Sequence, residues 1–249
     1  MRIHVGEIEA LFRYPVKSMG GERLEVADLG WHGVDGDRRL AVRRLGDRGG
    51  FPWLTASRLP EMILYAPQRR GLPAEGGLPT HVRTPEGAAL EVVGAERAAD
   101  VGRRLGAPVE VMHLNRGIFD EASLSVITSA TVGETAKLTA QPADVRRFRP
   151  NILIRSTRGG PFEEDAWVGG TLWSGDGGEV SVGVTNRDER CAMVNFDPDT
   201  ARADAEVLKT IVLERDNWLG VYGAVTRRGR VAVGQPVYFE PAGESGDRR

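Results

Sequence analysis

The sequence predicts a mainly β protein of the α+β class with barrel character. Short β-type runs dominate the chain, turns are frequent, with 32 Gly and 14 Pro in 249 residues, and helical periodicity is confined to a few short stretches. Many short strands with few helices to cover them leave open edges, and closing the sheet removes those edges.

The predicted strands run from His4 to Tyr14, Leu40 to Val42, Leu90 to Val93, Val109 to Leu114, Ser125 to Thr128, Asn151 to Ile154, Glu179 to Val184 and Val231 to Phe239. Glu96 to Leu105 sets Ala98, Val101 and Leu105 near one face and stops at Gly106, which predicts a short helix. Thr131 followed by Glu134 resembles a capping box opening a second. Thr200 to Trp218, with Val207, Leu208, Ile211 and Val212 at helical spacing and Thr200 as its cap, predicts the longest. Pro67 to Pro79 reads as an exposed loop, and residues 241–249 as a largely disordered tail. A division near residue 115 is expected, giving segments 1–115 and 116–240, because a β-rich stretch closes at Leu114 and a strand-helix-strand pattern begins near Asp120.

Composition narrows the function classes. With 41% hydrophobic and 27% charged residues the chain can build one large or two small cores. Its 33 basic residues against 35 acidic ones give a net charge of -2, with no global attraction for nucleic acid or an anionic membrane. No stretch approaches the roughly 18 apolar residues of a membrane span, and the N-terminus lacks a signal-type apolar core. The expectation is a cytoplasmic protein with neither membrane nor nucleic-acid partner. One cysteine excludes an internal disulfide, a CxxC site and a cysteine-ligated iron-sulfur cluster. Cys191 is therefore either a small buried hydrophobe or chemistry.

Four segments can carry chemistry. Tyr14-Pro15-Val16-Lys17-Ser18 presents a cation and a hydroxyl at a proline-fixed turn, which suits a phosphate or carboxylate, or is a solvated strand end. Gly36-Asp37-Arg38-Arg39 is a basic strand start with the same two readings. Arg146-Arg147-Phe148-Arg149-Pro150-Asn151 leads a cationic run into an apolar strand, where Arg149 and Asn151 would be rigidly held for an anion or a heterocycle edge. Around the thiol, Arg187 and Arg190 stand against Asp188 and Glu189, and a cysteine thiolate there could ligate a soft metal. Asp197-Pro198-Asp199-Thr200 follows as a turn rich in acceptors. The four histidines are scattered, and no GxSxG, HExxH, GxGxxG or Walker-type pattern occurs.

Taken in order, YPVKS, GDRRLAV, RRFRPNI, RCAMVNFDPDT and VAVGQPVYF resemble the MOSC family, named for the C-terminal domain of molybdenum cofactor sulfurases. The resemblance runs from about Val5 to Phe239 and is greatest to the amidoxime-reducing components and their bacterial relatives. It implies a MOSC β-barrel preceded by a smaller β-rich N-terminal MOSC domain, and the molybdenum cofactor, a molybdenum-bearing molybdopterin. Cys191 matches the family's metal ligand. Lys17, Ser18 and Arg38 match positions that hold the cofactor's anionic end, Arg149 and Asn151 match its pocket, and Asp120 to Ser123 lies where further backbone contacts arise.

The implied activity is an oxidoreductase that reduces N-hydroxylated small molecules such as amidoximes or hydroxylamines. Asp197 and Asp199 are then candidates to tune the site or relay protons. Without further cysteines, electrons must come from an external reductase or a ferredoxin-type partner. The alternative is a non-catalytic carrier of cofactor or sulfur, and a third reading is a barrel that binds other anions through Lys17, Arg38 and Arg149. Where relatives follow DPDT with Gly, this chain has Ala201.

Overall fold

The computed structural model describes residues 1–70, 78–175 and 177–242. Most of the expected loop and the end of the expected tail lie outside the described residues. The first segment forms β1 (Ile3–Arg13), β2 (Glu22–Leu24), β3 (Val26–Gly30), β4 (Gly33–Val34), β5 (Leu40–Arg44), β6 (Ala66–Gln68), β7 (His81–Arg83), β8 (Ala89–Glu91), α1 (Ala95–Leu105) and β9 (Val109–His113). The second forms β10 (Leu124–Thr128), α2 (Ser129–Thr139), β11 (Ile152–Ser156), β12 (Thr171–Ser174), β13 (Val180–Glu189), α3 (Ala205–Arg215), β14 (Trp218–Arg227), β15 (Gly229–Ala232) and β16 (Pro236–Glu240).

Seven strands close a barrel in the order β11-β10-β14-β13-β12-β16-β1, with β1 returning to β11. Every pair in it is antiparallel except β10 and β11, which run parallel; the chain between them includes the crossover helix α2 that a parallel pair requires. Val180, Val182 and Val184 alternate inward along β13 and meet Val5, Ile8, Leu11, Val126 and Ile154 in the barrel core. The opposite face of β1 is also covered: Ala10, Phe12 and Tyr14 pack with Val132 of α2 and Val207 and Ile211 of α3. Burial on both faces fits the apolar run Ala10-Leu11-Phe12 late in β1. A separate core under the first segment gathers Val16, Met19, Leu40, Val42, Met62 and Val101. The turn after β1 is thus where three cores meet.

Strand β1, from the segment before residue 115, is a stave of a barrel otherwise built after it. The two segments expected on either side of residue 115 therefore share one barrel. Among the described residues no helix is long and apolar enough to cross a membrane.

Several local expectations are corrected. The helix expected over Thr200–Trp218 covers only Ala205–Arg215, and its cap is Asp204, whose carboxylate accepts from the Glu206 N–H, not Thr200. Left-handed Asp216 and Asn217 end it, and Trp218 opens β14. That strand escapes pattern reading because Gly220 and Gly223 interrupt it. Gly220 is required there: its φ is +74°, and a Cβ would lie 2.8 Å from the Val126 carbonyl. Helix α2 is capped by Thr128, which accepts from the Thr131 N–H, while Glu134 pairs with Lys137. The strand expected over Val231–Phe239 is two strands, β15 and β16, parted by a turn through Gly234 at φ +85°.

Candidate functional site

The turn after β1 and the start of β5 are laced together by backbone. Arg38 N–H donates to the Tyr14 carbonyl at 2.8 Å, Leu40 N–H to Pro15 at 3.0 Å and Lys17 N–H to Leu40 at 2.8 Å. Asp37, fully buried, accepts from the Tyr14 N–H at 2.6 Å and holds the Arg38 guanidinium with its other oxygen. Asp37 raises the pKa of Arg38 although burial acts against it. Lys17 has a side chain only 6% exposed, and its ammonium donates to Asp120, a surface acid, at 2.9 Å.

The RRFRPN segment docks on this unit. Asn151 is buried and fully engaged: its carbonyl oxygen accepts from the Ser125 N–H at 3.2 Å and from Arg38 at 3.5 Å, and its amide donates to the Phe12 carbonyl at 3.3 Å. Arg38 also donates to the Arg149 carbonyl at 3.2 Å. Arg149 stacks over the Tyr14 ring at 4.2 Å and donates to the Met19 carbonyl at 2.6 Å. No carboxylate pairs with it among the described residues. Burial, with Arg38 nearby, pulls its pKa down to about 10. The Tyr14 hydroxyl is buried without a partner, and burial pushes its pKa up to about 12.

Ser18, Arg38 and Arg149 all adopt left-handed backbone, at φ 64°, 51° and 53°. Such a conformation costs a non-glycine residue roughly 1–2 kcal/mol, and before Pro150 it is further disfavoured. Three of the residues that the resemblance assigns to the cofactor therefore carry strain, which tends to collect where a site is held by its surroundings. Ser123 reaches this neighbourhood through its backbone: its carbonyl would stand 2.3 Å from a Cβ at Gly33, where φ is +85°. Only glycine lets the two segments approach so closely.

Cys191 is exposed, which removes the buried-hydrophobe reading of the thiol. It follows β13 in extended conformation and precedes a 3-10 turn, Ala192–Asn195. The flanking cations have other partners. Arg187 stacks on Trp218 at 4.9 Å, and Arg190 is buried, donating to the Phe148 carbonyl at 2.8 Å and the Leu219 carbonyl at 2.9 Å and pairing with Asp188 at 3.0 Å. Arg147 donates to the Val194 carbonyl at 2.9 Å. Two guanidinium groups thus fasten the thiol-bearing turn to the RRFRPN segment. Asp197 accepts from the Asp199 and Thr200 N–H groups and from the Thr200 hydroxyl, closing the DPDT turn, and Asp199 forms a two-pronged pair with Arg146. Ala201 ends that turn in left-handed conformation at φ 58°.

Other members of the site lack a signal in the sequence reading. Tyr14 stands within YPVKS and Asp37 within GDRR, with no local mark of the buried contacts that each makes. Asp188 is 1% exposed and accepts from Ser125 at 2.7 Å, with Tyr222 also bonded to it. Burial pushes its carboxyl up, against Arg190, Ser125 and Tyr222. An acid inside a strand beside two arginines and a cysteine could have been singled out, but its burial is visible only in the fold. A cleft of about 640 Å³ adjoins the site, sharing Tyr14 and Arg149 with it and Met193, Phe196, Pro198 and Asp199 with the thiol-bearing loop.

A family model described as the MOSC domain matches residues 87–238, and one described as the MOSC N-terminal beta barrel domain matches residues 5–114. Over 132 residues the chain is 30% identical to human mitochondrial amidoxime reducing component 2, covering 48% of this chain and 37% of that protein. It is 29% identical over 128 residues to mitochondrial amidoxime-reducing component 1 of Danio rerio, again covering 48% and 37%. The match therefore spans little more than a third of the relatives' length. The crystal structure of the YuaD protein from Bacillus subtilis is similar over 96% of this chain and 98% of that one, with a TM-score of 0.53 and 14% identity, a likeness of fold.

Proposed function

The chain belongs to the MOSC domain family, and on that footing we propose that it is a molybdenum-cofactor-binding oxidoreductase that reduces N-hydroxylated compounds. The observation that carries this reading is the pairing of an exposed thiol with a strained cationic cradle. Lys17, Arg38 and Arg149 converge through Tyr14, Asp37 and Asn151, and the Cys191 turn is fastened to the same segment by Arg147 and Arg190.

The residues present fit the cofactor. Arg149 lacks a carboxylate partner among the described residues and the buried Tyr14 hydroxyl lacks any, so both can accept an anionic, hydrogen-bonding ligand without breaking an existing pair. Lys17, with Ser18 and Arg38, would hold the anionic end, with Asp120 as the surface acid that a phosphate displaces from Lys17. Arg149, Asn151 and the backbone of Ser123 would line the pocket. Cys191 would be the metal ligand, and a thiolate is the soft donor molybdenum requires. Among the described residues no three His, Cys, Asp or Glu side chains form a metal cluster, which suits a metal that brings its other ligands with it.

When bound, the cofactor would supply two-electron redox chemistry. The chain would orient it and leave the thiol-side face open to a small molecule. Electrons would come from an external reductase or a ferredoxin-type partner. Asp199 is a candidate proton relay, with Asp197 shaping its turn, and Asp199→Asn with unchanged metal content and unchanged turnover would remove that role.

Exposure of the thiol also suits the second reading, a non-catalytic carrier of cofactor or sulfur. The test is turnover of benzamidoxime to benzamidine by cofactor-loaded protein with a chemical reductant. Turnover that disappears in Cys191→Ala supports the reductase. Stoichiometric molybdenum without turnover favours the carrier.

A further inference from the structure

Among the described residues the Lys17 ammonium has two acceptors, the Ile118 carbonyl at 3.3 Å and the Asp120 carboxylate at 2.9 Å. Both lie in the stretch between β9 and β10, 101 and 103 positions along the chain. The ion pair is lopsided: the lysine side chain is 6% exposed and the aspartate side chain 66%. On the ammonium's other flank the Phe51 ring lies at 5.8 Å. Solvent therefore meets the carboxylate, not the cation.

The same carboxylate stands in the field of the whole cradle. Desolvation raises the pKa of Asp120, but Lys17, Arg38 and Arg149 outweigh it and hold the carboxyl below its ordinary value. Those are the three cations assigned to the cofactor. The other acid of the cradle, Asp37, is fully buried and bonded to both the Tyr14 N–H and Arg38, so it cannot leave without opening the turn. Asp120 can leave, because residues 114–123 form neither helix nor strand and its hydrogen-bond partner is Lys17. It also stays close, because the Ile118 N–H donates to the Arg38 carbonyl at 3.1 Å and ties the stretch to the cradle.

We propose that Asp120 is an internal competitor for the anion seat, an autoinhibitory carboxylate that covers Lys17 in the cofactor-free protein and is displaced when a phosphate group enters. The proposal rests on the reading of Lys17, Ser18 and Arg38 as the seat of an anionic end and adds how that seat is regulated. Tethered through Ile118, the carboxylate competes at high effective concentration and lowers the affinity for any anion that needs Lys17. It also spares the buried ammonium from standing without a counter-charge when no anion is bound. The opposite role, a carboxylate that stays in place and fixes Lys17 for the anion, would make its removal weaken binding.

The test is titration of inorganic phosphate into the cofactor-free protein, followed by phosphorus NMR. Asp120→Asn removes the charge but keeps an oxygen that can accept from Lys17. It is expected to bind phosphate at least about fivefold more tightly than wild type, the scale of one lost ion pair. Glu121 is one position further on and bonds to Asn186, not to the cradle; Glu121→Gln removes the same charge and is expected to change the affinity by less than about twofold. Asp120→Ser serves the same purpose if Asp120→Asn does not fold. Equal or weaker binding by a folded Asp120 variant overturns the proposal while leaving the anion seat intact. A gain of the same size in Glu121→Gln overturns it too, since the general field and not the contact with Lys17 would be the cause. Binding that survives Lys17→Met overturns it because phosphate would then sit elsewhere, and phosphate bound by neither wild type nor variant overturns it together with the anion-seat reading.

Discussion

Arg190 donates its guanidinium to the carbonyl of Phe148 at 2.8 Å, and this contact ties the residue before the only cysteine to the residue before Arg149. The two segments lie 42 positions apart in sequence. Arg190 completes the junction with the Leu219 carbonyl and the Asp188 carboxylate, so a buried charge is fully used in holding two loops together. The cation that flanks the thiol in sequence serves as an anchor.

Removing that anchor leaves Asp188 buried without its cation. Arg190→Met is expected to cost about 3–5 kcal/mol, the usual penalty for orphaning one member of a buried pair. Urea unfolding of the cofactor-free variant measures it, and a loss below about 1 kcal/mol would mean that Asp188 is relieved by protonation or by water.

Ala201 stands where left-handed backbone favours glycine. Ala201→Gly relieves strain of about 1–2 kcal/mol and loses about 0.4–1 kcal/mol to the greater freedom of the unfolded chain. A net gain of up to about 1.6 kcal/mol is expected as a higher urea midpoint. A lower midpoint would show that the alanine methyl, which is buried, contributes more by packing than its backbone costs.

Glu164 is fully buried, accepts from the Thr128 N–H and hydroxyl and the Thr131 hydroxyl, and has no cation partner among the described residues. Burial pushes its pKa above the ordinary value of 4.5, against those hydrogen bonds. The folded state therefore holds a proton that the unfolded chain has released, and the stability this group contributes is complete below about 4.5 and falls as pH rises through the folded value. Glu164→Gln is expected to remove that decline while preserving acceptance from Thr128. Parallel stability-pH curves for the two proteins would contradict the assignment.

The fold class was legible because it follows from local signals: alternating or continuous apolar runs, frequent turns and few helical periods. Strand β1 could be read directly, since its apolar residues alternate with charges and then run on through Ala10, Leu11 and Phe12. Strand β14 could not, because Gly220 is there for close approach to Val126, a tertiary requirement that mimics a breaker in the sequence. Helix α3 was overextended because Thr200 resembles a cap, although Asp197 draws it into a turn. At the site, the cationic segments and the thiol were visible as residue types. Their convergence depends on Asp37, Asn151 and Arg190, each of which has a partner in another segment, 23, 113 and 42 residues away, and no local pattern encodes such pairings.

If Cys191 holds molybdenum in a cofactor cradled by Lys17, Arg38 and Arg149, the metal content of the protein depends on that thiol. The most direct measurement is molybdenum per chain, by elemental analysis, in wild type and Cys191→Ala purified from a host with abundant cofactor. An exposed thiol contributes little to packing, so the variant is expected to fold with an unchanged melting temperature. Near-stoichiometric metal in wild type and its loss in the variant is the predicted result. Metal retained in Cys191→Ala, or absent from wild type in a competent host, would mean that Cys191 is not the molybdenum ligand.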